Sequence, residues 1–246
     1  MVNYNIETSP QVYARMGGGL YLIIIVLGIF GEVFVRDKII VAGDPSATAA
    51  NITAMESLWR LGIATEFLSL ICTIALAMIY YFLLRLVSKE LNLLAALFRM
   101  TSVVVQAVAV LNLVAALFPL ANAASLKAFT PEQLSALTSL AIKSHNSGFS
   151  LALLFTGCTF LFHGYLIFKS GYLPKLLGVL IVVAGLGYLT NSFTLILYPA
   201  VASKVFLAII LPVLIGETSL SLWLLVKGVN LKKWEEKVSA RQVSKA

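Results

Sequence analysis

The chain has 246 residues, of which 60% are hydrophobic and only 12% are charged. A typical water-soluble domain has roughly 25% charged residues, so this chain has too little charge to cover a globule in water. The net charge of +7 is not concentrated in the basic patch that nucleic-acid binding requires. These values exclude a soluble domain and a nucleic-acid-binding protein, and they predict an integral membrane protein whose surroundings are the lipid bilayer.

Six segments of the chain are apolar enough to cross a bilayer, which takes about 20 mostly apolar helical residues. In hydrocarbon, a helix satisfies all the backbone polar groups of such a segment internally. We therefore predict an all-α, polytopic membrane protein with six transmembrane helices in one bundle and a single domain. The predicted spans cover about residues 13–35, 58–84, 91–118, 148–168, 173–197 and 205–226.

Two of the loops carry signals for the start of a helix. Thr130 and Gln133 form a capping box, with Pro131 at the first helical position. This pattern predicts a short amphipathic external helix that lies on the outer surface and leads into the fourth span. The pair Asp44–Pro45 predicts another helix start, from which a helix can run unbroken into the second span.

The Lys and Arg residues are unevenly divided between the two sides of the predicted bundle. The N-terminus, the even-numbered loops and the tail carry more of them than the opposite side, as cytoplasmic segments do. We predict a plasma-membrane protein with both termini in the cytoplasm. The basic tail, residues 227–246, is expected either to attract anionic lipid headgroups or to serve only as an anchor. Its cations are Lys227, Lys232, Lys233, Lys237, Arg241 and Lys245.

An inner polar pocket is predicted around two ionisable residues, which cost about 2.5–3.5 kcal/mol each in hydrocarbon and therefore indicate function. Arg99 and Glu217 each lie ten residues from a cytoplasmic lysine, which places both about 15 Å deep at 1.5 Å per residue. Arg99 would bind an anionic group, or Glu217 would relay a proton. The structural alternative is an ion pair between them that fixes helix packing. The predicted pocket consists of Arg99, Gln106, Glu217 and Ser221.

An outer polar cluster is predicted near the opposite surface. Its residues fall at similar depth on the first, second, third and fifth spans, where they would line an outward-open cavity. Alternatively, they form interhelical hydrogen bonds, which contribute about 0.6 kcal/mol on average. No buried cation is predicted to pair with the Glu66 carboxylate of this cluster. The members are Glu32, Arg60, Glu66, Thr73, Asn112 and Asn191.

The remaining candidate residues favour structural roles. His145 and His163 are the only two histidines and lie about 27 Å apart along one helix, so they are expected at the membrane interfaces and not as a haem pair. We expect no metal or other cofactor and assign no catalytic residue. Glycines in the first and fifth spans are expected to permit close contact between helices. They are Gly17, Gly18, Gly19, Gly28, Gly31, Gly178, Gly185 and Gly187.

Four stretches of the chain, residues 57–65, 98–100, 164–180 and 184–193, have a recognisable pattern. They resemble a bacterial membrane protein family described as domain of unknown function 4386. The resemblance covers nearly the whole chain apart from the tail, and it implies a compact helical membrane protein of unassigned role. The family often has an acidic residue where this chain has Asn191, and another near Thr73, so the resemblance implies a less charged outer cluster here.

Three functions fit these observations. The first is binding, transport or sensing of a small amphipathic molecule or ion through a polar pocket inside the bundle. The second is an intramembrane enzyme that acts on a lipid or isoprenoid, with Glu66 or Glu217 as general base, although the sequence shows no paired carboxylates and no nucleophile–base set. The third is a structural partner subunit of another membrane protein.

Overall fold

The structure, a computed structural model, describes residues 10–121 and 124–243. Within these ranges it contains helices and no strands, as predicted. The helices that follow are numbered in chain order. They are α1 (Pro10–Ile39), α2 (Pro45–Ala54), α3 (Glu56–Leu84), α4 (Lys89–Ala115), α5 (Pro131–Ser170), α6 (Lys175–Leu197), α7 (Pro199–Val226) and α8 (Leu231–Val243).

Six of the helices are long and apolar enough to cross a membrane, which confirms the prediction of a six-helix membrane protein. Their helical segments include the predicted spans with small shifts at the ends. The first span extends beyond Val35 as far as Ile39, and its segment Phe30–Arg36 is a π-helix. This extension brings Arg36 into the helix, whereas the sequence placed it in the following loop.

The predicted external helix is the first part of α5, which continues for 40 residues without a break. The capping box is confirmed: Thr130 Oγ1 accepts from the Gln133 amide at 3.3 Å, and Gln133 Oε1 accepts from the Thr130 amide at 2.9 Å. Asp44 caps α2 through the Ala47 amide. However, α2 does not run unbroken into the second span, because Met55 leaves helical geometry with φ −120° and ψ 35°.

The chain divides into two compact units, and α1, α3, α4 and α5 each contribute residues to both. The first unit consists of Met1–Ile23, Cys72–Ser102 and Leu153–Ala246, and the second consists of Ile24–Ile71 and Val103–Ala152. In the second unit, the fully buried Trp59 donates its indole N–H to the Leu113 carbonyl at 3.1 Å. Branched apolar side chains from α1, α2, α4 and α5 surround this indole ring.

Small residues bring the helices of the first unit into close contact. A Cβ atom at Gly178 of α6 would lie 2.6 Å from the carbonyl oxygen of Gly164 in α5, and one at Gly18 of α1 would lie 2.4 Å from the Leu225 amide of α7. The expectation of close contact is confirmed at these positions. It is wrong for Gly28, because a Cβ added there would have no heavy atom of the described residues within 4 Å.

The tail is an ordered helix, α8, which is tied to the ends of other helices in the first unit. Lys237 Nζ donates to the carbonyl oxygens of Lys169 and Ser170 at 3.0 and 3.1 Å, and Arg241 donates to the carbonyl oxygen of Arg85. Cations at helix C-termini are favourable because the last carbonyl groups lack intrahelical donors. Burial lowers the pKa of Lys237. Lys245, the last predicted tail cation, lies outside the described residues.

The contact between α5 and α6 makes Gly178 sensitive to a single methyl group. We expect Gly178→Ala to lower the free energy of unfolding by about 1–3 kcal/mol, because overpacking against a backbone carbonyl forces the helices apart. The control is Gly28→Ala, which has open space around it. Thermal unfolding of the purified protein in detergent measures the difference. Equal melting temperatures for the two variants would contradict the close contact.

Candidate functional site

A buried carboxyl group, that of Glu217 in α7, is the centre of the largest polar group in the first unit. Its side chain is buried, and Tyr188 of α6 donates its hydroxyl to Glu217 Oε1 at 2.6 Å. The Tyr21 hydroxyl of α1 also lies beside this carboxyl group, although it falls short of hydrogen-bonding geometry. The carboxyl group is therefore held by phenol groups and not by a cation.

Arg99 of α4 lies close enough to Glu217 for the two to interact electrostatically. No ion pair within 4.0 Å joins them in the described part of the chain. Instead, the Arg99 guanidinium donates to Thr156 Oγ1 of α5 at 3.1 Å, and that hydroxyl lies 2.8 Å from Ser102 Oγ. The structural alternative of an Arg99–Glu217 pair is therefore wrong, while the expectation that the two residues lie in one region agrees with the structure.

Two further polar side chains complete the group. The Tyr80 ring of α3 lies 5.0 Å from the imidazole of His163 in α5 and 6.3 Å from the Tyr21 ring, measured between ring centroids. His163 is buried, so its side chain packs inside the protein. Among the described residues, the hydroxyl groups of Tyr21 and Tyr80 have no hydrogen-bond partner. Buried polar atoms without partners are rare in proteins and call for a physical explanation.

We name this group the Glu217 cluster. Each of the six spanning helices contributes at least one of its side chains, and all of them belong to the first unit. The cluster consists of Tyr21, Tyr80, Arg99, Ser102, Thr156, His163, Tyr188 and Glu217. Ser221, which was predicted here, lies one turn from Glu217 but donates to the Thr218 carbonyl of its own helix at 2.9 Å.

The tyrosines and His163 were missed as site residues because the prediction considered charged groups, amides and the hydroxyls of Thr73 and Ser221, and placed His163 at an interface. An aromatic residue in an apolar run is typical of a helix core, and its hydroxyl group carries no periodic signal. The one available indication was the depth of Tyr21 and Tyr188 within their spans. Buried Tyr hydroxyls usually find a hydrogen-bond partner, so a tyrosine in mid-span indicates a nearby polar group.

The second unit contains a buried ion pair between Arg36 and Glu66, to which the more exposed Glu32 and Gln106 add contacts. We name these four residues the Arg36 cluster. The Arg36 guanidinium contacts Glu66 Oε1 at 2.7 Å and Glu32 Oε2 at 2.6 Å. Gln106 Nε2 donates to the other Glu66 oxygen at 3.3 Å. Glu66 therefore has a buried cation partner, contrary to the sequence expectation. That partner was missed because Arg36 was placed beyond the end of the first helix.

Local geometry explains how Arg36 contacts Glu66 within the second unit. The π-helical segment Phe30–Arg36 changes the direction of the side chains along α1, and π-helical turns occur frequently at functional positions. Gly31 lies beside the ion pair and has no side chain. A Cβ added at this position would lie 3.6 Å from Glu66 Oε1. His145 of α5 is also buried, with Nδ1 3.1 Å from the Ala109 carbonyl oxygen.

Gln106 therefore belongs with Glu66 and not with the predicted inner pocket. Arg99 and Gln106 share a face of α4 but are seven residues apart, which is about 10 Å along the helix at 1.5 Å per residue. Arg99 contacts Thr156 of the first unit, whereas Gln106 contacts Glu66 of the second. The sequence grouping used the shared face and neglected the difference in depth.

The other predicted outer residues do not join the Arg36 cluster. Arg60 pairs with Glu56 at 2.7 Å, and both side chains are exposed. Asn112 donates to the Val108 and Ala109 carbonyls of its own helix. Thr73 and Asn191 belong to the first unit. Of the six predicted residues, Glu32 and Glu66 therefore lie in one cluster. The other four do not join them, because depth along a helix does not determine which neighbour a side chain faces.

Comparison with known proteins assigns the chain to a family. The family described as Domain of unknown function (DUF4386) matches over residues 16–228. The chain belongs to the DUF4386 family. It is also 30% identical over 167 residues to an uncharacterized protein from Archaeoglobus fulgidus, which corresponds to 68% of this chain and 83% of that protein. No solved structure matches this DUF4386 protein.

The two arginine–glutamate pairs provide a matched test of the Arg36 cluster. The pairs are Glu32–Arg36 and Glu56–Arg60, and in both the Arg follows the Glu by four residues. The Arg36 side chain is only 9% exposed, whereas the Arg60 side chain is 62% exposed. We expect Arg36→Met to destabilise the protein by about 3–5 kcal/mol, because it leaves the buried Glu66 without its cation. Arg60→Met removes an exposed pair and is expected to cost less than about 1 kcal/mol.

Unfolding of both variants in detergent, followed by circular dichroism, measures this difference. Similar losses for Arg36→Met and Arg60→Met would show that the Arg36 cluster is not the buried network described above.

Proposed function

We propose that this DUF4386 protein binds a small amphipathic molecule or ion at the Glu217 cluster and transports or senses it. One observation carries the proposal: the hydrogen-bonding capacity of the cluster exceeds what the protein itself uses. The buried hydroxyl of Tyr80 has no partner among the described residues, and the Arg99 guanidinium has no carboxylate partner among them. A ligand with polar atoms supplies the missing partners.

The chemistry of the cluster favours a ligand with an anionic or acceptor group at one end. A guanidinium group has five N–H donors, and one hydrogen bond from Arg99, to Thr156, is present. Arg99 thus offers positive charge and further donors to the ligand. Glu217, hydrogen-bonded to Tyr188, supplies a carboxyl group that exchanges a proton, as intramembrane acids do in proton relays. The aromatic rings of the cluster contact the apolar part of the ligand.

The Arg36 cluster is a weaker candidate for the same role. Its guanidinium contacts two carboxylates, and its buried carboxylate accepts from both Arg36 and Gln106. Each charged group there contacts a group of opposite charge, and the second carboxylate, that of Glu32, is exposed. We assign this cluster a structural role in the second unit and place ligand recognition in the first.

We also propose that the protein lies in the plasma membrane with both termini in the cytoplasm. The excess of Lys and Arg in the N-terminal segment, the even-numbered loops and the tail supports this orientation, because cytoplasmic segments carry such an excess.

The proposal predicts that a small molecule is retained at the cluster during mild purification. Full-length protein is isolated from its membrane, extracted with organic solvent, and the extract is compared by mass spectrometry. We expect Arg99→Gln and Glu217→Gln each to reduce the amount of a co-extracted molecule by about tenfold or more, since a hydrogen bond to a charged group contributes about 1.5–3 kcal/mol.

The matched controls are Arg60→Gln and Glu56→Gln, which change the same residue types in an exposed pair. Melting temperatures of all four variants separate lost binding from lost folding. If extracts of wild type and all variants are identical while the proteins remain folded, the Glu217 cluster is not a ligand site. A co-extracted molecule that wild type converts and Glu217→Gln does not would favour an intramembrane enzyme instead.

A further inference from the structure

The first unit contains a cleft that the Glu217 cluster does not use. It has a volume of about 320 Å³ and lies where α6 begins and α7 ends. One wall is the segment before α6, and the other is the turn between α7 and α8. The lining residues include Tyr172, Pro174, Trp223, Lys227, Asn230 and Lys233.

The floor of the cleft is held by specific hydrogen bonds and is not a loose surface depression. The Asn230 amide donates to the Tyr172 carbonyl at 3.0 Å and so joins the two walls. Gln11 of α1 donates to the Lys227 carbonyl at 2.7 Å and accepts from the Val229 amide at 3.0 Å. Gly228, between them, has φ +66°, and a Cβ there would lie 2.5 Å from the Gln11 side chain. Only glycine fits this turn.

Two ammonium groups give the cleft its charge. Lys227 and Lys233 both line it, and neither forms an ion pair within the part of the chain that the structure describes. The Asn230 side chain caps α8 by accepting from the Lys233 amide at 3.1 Å. This hydrogen bond fixes the backbone position of Lys233 in the first turn of α8. Other tail cations are differently engaged, since Lys237 and Arg241 donate to helix C-termini. The cleft therefore has two lysines that are available to an anion.

The position of the cleft indicates the kind of anion that it binds. Because α6 begins at Lys175 and α7 ends at Val226, the cleft lies at the end of two spanning helices, which is the level of the lipid headgroups. Trp223 lines the cleft with its indole N–H bonded to the Gly228 carbonyl at 3.2 Å, and Trp is enriched at this level of a membrane. Lysine binds phosphate as a compact point charge.

We propose that this cleft binds the phosphate group of an anionic membrane lipid, with Lys227 and Lys233 as its ligands and Trp223 against the start of the acyl chains. The site is separate from ligand recognition at Glu217, so either proposal stands without the other.

Native mass spectrometry of the full-length protein in detergent tests the site. The protein is titrated separately with phosphatidylglycerol, phosphatidylcholine and inorganic phosphate. We expect one phosphatidylglycerol molecule to bind more tightly than either other probe. The double variant Lys227→Gln/Lys233→Gln is expected to weaken that binding about 25-fold, from about fivefold for each cation near an anionic headgroup.

The control is Lys38→Gln/Lys143→Gln, which removes the same net charge from exposed positions of the second unit, outside the cleft. It is expected to change affinity by less than about twofold, because neither residue lines the site and exposed charges are screened by salt. Lys227→Arg/Lys233→Arg retains the charge and is expected to restore binding, which separates a lost site from misfolding.

Three results would overturn the proposal. Equal weakening in the control variant would mean that only net charge matters. Unchanged phosphatidylglycerol binding in the Lys227→Gln/Lys233→Gln protein would remove the two lysines from the site. Inorganic phosphate that binds as tightly as the lipid would identify a site for free phosphate.

Discussion

Polar side chains inside hydrocarbon must find their partners within the protein, and this constraint organises both units of the structure. An arginine or glutamate at the middle of a spanning helix is costly, so each one gathers neighbours that reduce the cost. In the second unit, Arg36 and Glu66 neutralise one another at 2.7 Å. In the first unit, Arg99 and Glu217 lie in one cluster but bond to hydroxyl groups from other helices. The proposed function is based on the difference between these two arrangements: Arg36 contacts carboxylates, whereas Arg99 contacts a neutral hydroxyl.

An arginine that contacts carboxylates and an arginine that contacts a neutral hydroxyl differ in their ability to bind a ligand. The guanidinium of Arg36 is occupied by two carboxylates, so a ligand would have to displace a strong contact to reach it. Arg99 has a neutral hydroxyl as its acceptor, and a ligand with an anionic group would give its guanidinium a negatively charged acceptor. The participation of all six spanning helices in the Glu217 cluster has a further implication. Under the proposed function, a change in the charge or hydrogen bonding of the ligand would act on side chains from all six spanning helices.

Much of the fold could be predicted from the sequence because hydropathy and helix-start signals are local properties. The six spans follow from runs of apolar residues, and the start of α5 follows from Thr130 and Gln133, which are three residues apart. The site was harder to predict because it depends on how helices rotate against one another. Spacing along α4 gives the depth of Gln106, yet only the packed structure shows that it faces Glu66. The role of Arg36 depends on a π-helical extension of α1, for which the apolar pattern has no signal.

The central claim is that the Glu217 cluster admits molecules from outside the protein, whereas the neighbouring core does not. Cysteine labelling measures this directly, in a protein whose own two cysteines have been replaced by alanine. Single cysteines are introduced by Tyr80→Cys in the cluster and by Leu83→Cys in the core of the same helix, where Leu83 is 1% exposed. Membranes are then treated with a small, water-soluble thiol reagent. We expect the cysteine at position 80 to be modified and the one at position 83 to remain unmodified. Equal protection of both positions would contradict it.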